Sequence, residues 1–321
     1  MAGTAITVAP EFVEETVYRA APGQVGGMET GDAPLGAVLD KAFSRSAFLR
    51  SAVWGQLVWS GRLEAGGTAG SPSIKVGPID AVCLRAAETR SGNSVDVWRA
   101  FLEPAETTLG ISHVEGAPGS LTSDTWYYVY VYSNGTTTLQ WQITTTPPTD
   151  SGAPTVLRQW KRGASANYRY LGCFRTDNSG KPLPVYATRG RVLYQRSAVS
   201  GAYGSLASGG LRARDATGSA SLTALSLASR VPPHSRVALV RGTITMGPST
   251  PAADASAELR LYTGADTTIA VAVRAMTSAA TNATAQGDAE LVTTASQAIG
   301  FSVDLVDATA SHAIDCMGWV E

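Results

Sequence analysis

From Trp54 to about Ser200, apolar and polar residues alternate with the period of strands rather than helices. The clearest unit is the run Trp126-Tyr127-Tyr128-Val129-Tyr130-Val131-Tyr132, then Ser133-Asn134-Gly135-Thr136, then Thr137 to Thr144. Asn-Gly accepts the positive φ angles of a type I′ turn, so the pattern predicts a hairpin. Counting back from that turn places Tyr130 opposite Leu139, Tyr128 opposite Trp141 and Trp126 opposite Ile143. This aromatic and apolar face is assigned to the core. The other face pairs Val131 with Thr138, Val129 with Gln140 and Tyr127 with Gln142, leaving Tyr127 and Tyr132 as the exposed members. A slip of one residue would exchange the two faces, so the pattern is expected to fix the register.

A second unit begins at Tyr168-Arg169-Tyr170-Leu171-Gly172-Cys173-Phe174-Arg175, turns through Thr176-Asp177-Asn178-Ser179-Gly180, and returns over Lys181 to Tyr186. Pro182 and Pro184 remove two ladder donors, so the return is expected to be an edge or a partly paired strand. A last strand of this region is predicted at Val192-Leu193-Tyr194. Beyond about residue 206, candidate strands are Ala220 to Leu227, Val237 to Met246, Ala257 to Tyr262, Ile269 to Met276, Glu290 to Thr294, Ile299 to Leu305 and Ala313 to Val320. Seven short strands separated by Pro, Gly, Asn and Asp signals predict a β-sandwich, jelly-roll-like.

Helical periodicity occurs in one place. Asp32-Ala33-Pro34 reads as a helix start, and Leu35, Val38, Leu39, Ala42 and Phe43 follow at spacings of three and four. Before it, residues 1 to 31 read as an extended arm in which Ile6 and Val8 form at most a brief strand. Around 201–210 the chain becomes Gly-, Ser- and Ala-rich, which is linker chemistry. The expected organisation is an N-terminal arm and helix over 1–53, a central antiparallel β-domain over 54–200, a linker over 201–210 and a C-terminal β-sandwich over 211–321. The fold class is mainly β.

Composition narrows the function. The 321 residues are 44% hydrophobic, enough for real cores, but only 16% charged against a usual level of roughly 25%. So little charge suggests that part of the surface lies against other subunits. A net charge of -1 gives no basic footprint for nucleic acid, and Lys161-Arg162 and Arg189-Gly190-Arg191 are too small to make one. No positively charged start leads into an apolar run, so no signal peptide is expected. Nor does any stretch approach the roughly 18 apolar residues of a membrane span. The expected setting is a protein made in a cytoplasm that joins an assembly without inserting into a membrane.

No catalytic constellation is predicted. Cys83, Cys173 and Cys316 form no C-x-x-C pair, and an odd count closes no disulfide framework. With only His113, His234 and His312, a dedicated zinc site is not expected, nor any cofactor. His312 and Cys316 could form a dyad, but Cys316 lies in an apolar strand and reads as a packed thiol. Asp304 with Asp307, or Glu14 with Glu15, could supply paired carboxylates; alternation gives Asp304 the solvent side of its strand. Gly66-Gly67-Thr68-Ala69-Gly70-Ser71 precedes Pro72 and a strand, so it is a loop and not a phosphate cradle. Asn134-Gly135-Thr136 and Asn282-Ala283-Thr284 match the glycosylation sequon but read as turns.

The segment Tyr170 to Gly180, with Leu183-Pro184-Val185 and Gly190-Arg191-Val192-Leu193-Tyr194, resembles a stretch found in fibre, spike and decoration proteins of tailed bacteriophages. There too it follows a hairpin like Trp126 to Ile143. Val231-Pro232-Pro233 ahead of a long strand, and the closing Gly318-Trp319-Val320-Glu321, are similar in style to the sandwich tips of such proteins. The resemblance covers about half the chain and brings no catalytic residue. It implies a non-enzymatic virion component: a homo-oligomer, expected to be a trimer, forming a head fibre, spike or tail-fibre-like protein. Capsid or tail proteins would bind its N-terminal part, and the sandwich would face outward toward a host-surface glycan. The alternatives are a free carbohydrate-binding protein and a capsule-degrading enzyme. Tyr262, Phe301 and Trp319 are the only aromatic residues after the linker, which counts against stacking on sugars.

Overall fold

The computed structural model describes residues 5–7, 58–59, 61–90, 93–133, 139–149, 161–162, 168–188, 190–195, 211–246, 255–264, 268–277, 283–306 and 308–321. Its strands are β1 (Ala5–Thr7), β2 (Val58–Trp59), β3 (Leu63–Gly67), β4 (Pro72–Val76), β5 (Ile79–Arg90), β6 (Asn93–Glu103) and β7 (Thr107–Leu109). Next come β8 (Trp126–Tyr132), β9 (Gln140–Thr144), β10 (Pro148–Thr149), β11 (Lys161–Arg162), β12 (Tyr168–Arg175), β13 (Val185–Thr188) and β14 (Arg191–Tyr194). The last eight are β15 (Leu211–Thr217), β16 (Ala220–Ser226), β17 (Val237–Met246), β18 (Ala255–Tyr262), β19 (Ile269–Thr277), β20 (Ala283–Val292), β21 (Ala298–Val306) and β22 (Ala310–Val320). Among the described residues the one helical element is a 3-10 turn at Ile111–His113. The protein is mainly β, in antiparallel sheets, as the periodicity predicts. The helix expected within 32–53 and the linker at 201–210 lie outside the described residues.

The chain forms two compact units, each assembled from separate stretches: 1–62, 75–117 and 128–171 in one, 63–74, 118–127 and 172–321 in the other. In the first unit, β5 and β6 form a long hairpin paired from Ile79↔Glu103 to Arg90↔Asn93. The sheet order is β1-β6-β5-β2, so the brief N-terminal strand at Ile6 is real and pairs with β6.

The same unit holds most of the sheet β12-β8-β9, and here the expected register fails. Tyr128 pairs with Thr144, Tyr130 with Gln142 and Tyr132 with Gln140, while Val129 pairs with Ile143 and Val131 with Trp141. The offset is odd, so the tyrosines share their face with polar partners and the valines take Ile143 and Trp141. The reason is that both faces of β8 are covered: Tyr128, Val129, Tyr130 and Val131 are all buried. A strand buried on both sides has no solvent face for alternation to select. The tyrosines instead meet those of β12, with Tyr132 stacked on Tyr168 at 4.8 Å and Tyr130 edge-on to it at 6.2 Å. The turn residues Asn134 and Gly135 lie outside the described residues.

The second unit contains two facing sheets. One runs β20-β17-β22-β14-β13-β3-β4, with β15 also on β22; the other runs β16-β21-β18-β19. β17 shows why the sequence folds this way: Ala238, Val240, Gly242, Ile244 and Met246 point inward and the residues between them outward. A Cβ at Gly242 would lie 2.9 Å from Leu259 Cδ2, and one at Gly287 would lie 2.7 Å from Val273 Cγ2, so the sheets touch through these glycines. This is a β-sandwich, as expected. β20 is longer than the predicted Glu290 to Thr294, and β15 was not foreseen. Pro182 makes only an isolated bridge to Thr176, as a partly paired return should, but β13 begins after Pro184 and is no edge, for it pairs with β14 and with β3.

The predicted turn at 176–180 is built around Asp177. Its Oδ1 accepts from Ser179 N (2.9 Å), Ser179 Oγ (2.7 Å) and Lys181 N (2.9 Å), and Gly180 takes the left-handed φ of +79° that closes the loop. Likewise Gly66 to Ser71 is the β3–β4 hairpin, closed by Thr68 N donating to Ser71 O at 3.0 Å.

Candidate functional site

Side chains of mixed chemistry converge around Trp319, inside the second unit. β22 carries a bulge between Cys316 and Gly318, which lets both Cys316 and Trp319 point inward although they are three residues apart. Trp319 meets Trp126 edge-to-face at 5.4 Å and Tyr194 at 5.6 Å, and the Arg175 guanidinium lies 5.8 Å over the Trp126 ring. The Tyr194 hydroxyl donates to Arg230 O at 2.7 Å, and burial holds it well above the usual phenol range. Arg230 donates through Nε (3.1 Å) and Nη2 (2.6 Å) to Arg212 O. Burial pushes the Cys316 thiol up to about 12, and it donates to Gly318 O at 3.3 Å. That thiol is packed, not activated.

At the edge of this aromatic cluster lie Cys173, His234 and Glu321. Cys173 is placed by β12 and is fully buried. His234 sits in the turn closed by Ser235 N on Pro232 O (3.0 Å), and Ser235 Oγ ties that turn to Val320 O (2.8 Å). Glu321 is fixed by its backbone N–H on Gly190 O at 2.8 Å. Its Oε1 accepts from Trp319 Nε1 at 3.2 Å, with Cys173 Sγ at 3.6 Å and His234 Nε2 at 3.8 Å. The three donor atoms lie within 4.8 Å of one another, the one such trio of metal-capable side chains among the described residues. No motif spacing joins these residues, which come from three distant stretches of the chain.

The other candidates are kept apart. His312 Nε2 accepts from Arg214 Nε at 2.9 Å, and burial together with Arg214 lowers its pKa, so it is a neutral imidazole paired with a guanidinium rather than with Cys316. Asp304 lies on the solvent side of β21, held by Arg260 Nη1 at 2.6 Å; Asp307, Glu14 and Glu15 lie outside the described residues. His113 accepts from Gly110 N through Nδ1 at 3.2 Å, closing its own turn. Arg191 pairs with Glu290. A cleft of about 440 Å³ at one end of the sandwich is lined by residues such as Thr217, Thr245, Met246, Leu305 and Ser311, with no titratable side chain.

No family model matches the chain, and no curated protein matches it. Among solved structures, a chain of the infectious bursal disease virus particle is similar at 10% identity and a TM-score of 0.19, over 82% of this chain and 67% of that one. The Gx strain of the same virus gives 12% and 0.18, over 82% and 70%, and its VP2 subviral particle 10% and 0.18, over 82% and 69%. The likeness carries nothing about function, which rests on the chain's own surfaces.

Two of those surfaces bear on binding. Tyr262, Phe301 and Trp319, the aromatic residues of 211–321, are all buried, so none of them offers a ring to a sugar, while Tyr186 on β13 is half-buried. On the outer face of the sheet β16-β21-β18-β19, Arg260 bridges Glu258 (2.5 Å) and Asp304 (2.6 Å). Met276 and Val306 lie at one end of this ion-pair ladder, both opposite Ser256, and Ile269 and Leu222 lie at the other. These four large apolar side chains are 46–57% exposed. No helix among the described residues is long and apolar enough to cross a membrane.

Proposed function

We propose that the chain is a non-catalytic structural subunit of a virus particle that works as a homo-oligomer. The observation that carries this reading is the outer face of β16-β21-β18-β19, where four exposed large apolar side chains flank an ion-pair ladder. Exposed apolar side chains beside paired charges offer a protein partner burial for affinity and charge for register. The low charge content of the whole chain and its rigid sandwich support the same reading. In its finer form it is a trimeric head fibre, spike or tail-fibre-like protein of a tailed bacteriophage. Residues 1–53 dock on capsid or tail proteins, and the sandwich is displayed outward toward a host-surface glycan. That form draws on the resemblance of Tyr170 to Gly180 and Gly190 to Tyr194 to phage fibre and spike proteins. Since residues 211–321 expose no aromatic ring, glycan contact there falls to polar loops.

The test is the solution mass of the purified full chain by light scattering after size exclusion. The expected result is about 100 kDa, roughly three chains under closed cyclic symmetry. A single chain of 33.3 kDa across the accessible concentration range overturns the oligomer.

A further inference from the structure

We infer that Cys173, His234 and Glu321 form a binding site for a single zinc ion, within the β-sandwich unit and beside Trp319. The geometry fits. A tetrahedral zinc with Zn–S near 2.3 Å and Zn–N or Zn–O near 2.0–2.1 Å spaces its donor atoms roughly 3.3–3.5 Å apart. Here Glu321 Oε1 lies 3.6 Å from Cys173 Sγ and 3.8 Å from His234 Nε2. All three donor atoms lie within 4.8 Å of one another, so side-chain shifts of up to about 1 Å close the trio around an ion. The donor set, one thiolate, one imidazole and one carboxylate, suits zinc and excludes the all-oxygen preference of magnesium or calcium.

Burial and charge point the same way. The Cys173 side chain is inaccessible, that of His234 is 4% exposed and that of Glu321 13%. Binding releases the Cys173 thiol proton to solvent, and the 2+ ion then balances one thiolate and one carboxylate with His234 neutral. The Trp319 N–H on Glu321 Oε1 at 3.2 Å is the outer hydrogen bond that orients a ligating carboxylate. The second Glu321 oxygen or a water fills the fourth position.

The three ligands come from β12, from the turn before β17 and from the residue after β22, so the ion would clip together strands far apart in sequence. The site therefore acts on stability, and it is independent of whether the chain oligomerises.

The experiment uses the full chain without an affinity tag. Zinc per chain is measured by elemental mass spectrometry after exhaustive dialysis, and the metal-stripped protein is then titrated with cobalt(II). One zinc per chain is expected, with a thiolate-to-cobalt charge-transfer band and the intense visible bands of four-coordinate cobalt. Cys173→Ser and His234→Gln should remove the band and weaken zinc binding by at least about tenfold. Glu321→Gln, which keeps the shape and an acceptor for Trp319, should weaken it as well. Cys83→Ser and Cys316→Ser should leave both readouts unchanged. A folded wild-type chain with no zinc above background and no thiolate band at excess cobalt overturns the site. So does zinc binding that survives unchanged in folded Cys173→Ser and Glu321→Gln, since the metal would then be held elsewhere or adventitiously.

Discussion

His312 shows how a buried polar residue can be tied to one protonation state. Its Nε2 accepts a hydrogen bond from Arg214, which only the neutral ring can do, and the ring lies 6.0 Å from Phe301 with almost no exposure. Burial first, and the Arg214 charge second, lower its pKa below the ordinary histidine value, with Asp215 opposing weakly. The unfolded chain therefore binds this proton more readily than the folded one. The stability from the neutral ring is present above about pH 6.5, the unfolded value, and is lost as pH falls through the depressed folded value. His312→Gln keeps an acceptor for Arg214 and cannot titrate. Its melting temperature should fall less than that of the wild type between pH 7 and pH 5, measured by calorimetry in matched buffers. Parallel curves would show that His312 does not contribute to the acid limb.

At the scale of strands, the bulge in β22 decides what enters the core. Gly318 has φ +155°, and a Cβ there would run into the carbonyl of Val192 on the neighbouring β14. The obstacle is backbone on a paired strand, so no side-chain rotation relieves it. Gly318→Ala should destabilise the fold by about 2 kcal/mol or more in urea denaturation followed by tryptophan fluorescence. A loss under about 0.5 kcal/mol would mean that β14 and β22 can separate at little cost.

This bulge also marks where the sequence stops being legible. β17 is readable because its first four residues are apolar and Val240, Ile244 and Met246 then alternate with Arg241, Thr243 and Thr245. β20 obeys the same alternation, but its inward positions Ala283, Ala285, Gly287 and Ala289 are small, since the facing sheet presses against them, so its signal is faint. β8 misleads because both its faces are covered, and the Asn-Gly pair beside it suggested a tighter connection than the Tyr132↔Gln140 pairing makes. The Asp177 turn, by contrast, is local chemistry and was legible. The Cys173, His234 and Glu321 trio was not, because only the closed sheet brings these residues together.

For the whole molecule, the outer face of β16-β21-β18-β19 has the sharpest consequence. Met276 and Val306 are both more than half exposed, and each lies opposite Ser256 on β18. Replacing both with lysine removes little burial from the isolated chain, so each change should alter its stability by no more than about 0.5 kcal/mol. At a subunit interface the same two lysines would have to shed water with no new partner, because Arg260 already engages Glu258 and Asp304. The double variant should therefore melt like the wild type in dilute solution yet run as a single chain where the wild type runs as an oligomer. If the lysine variant keeps the wild-type mass, association uses another surface, and the apolar rim of this sheet is not where the subunits meet.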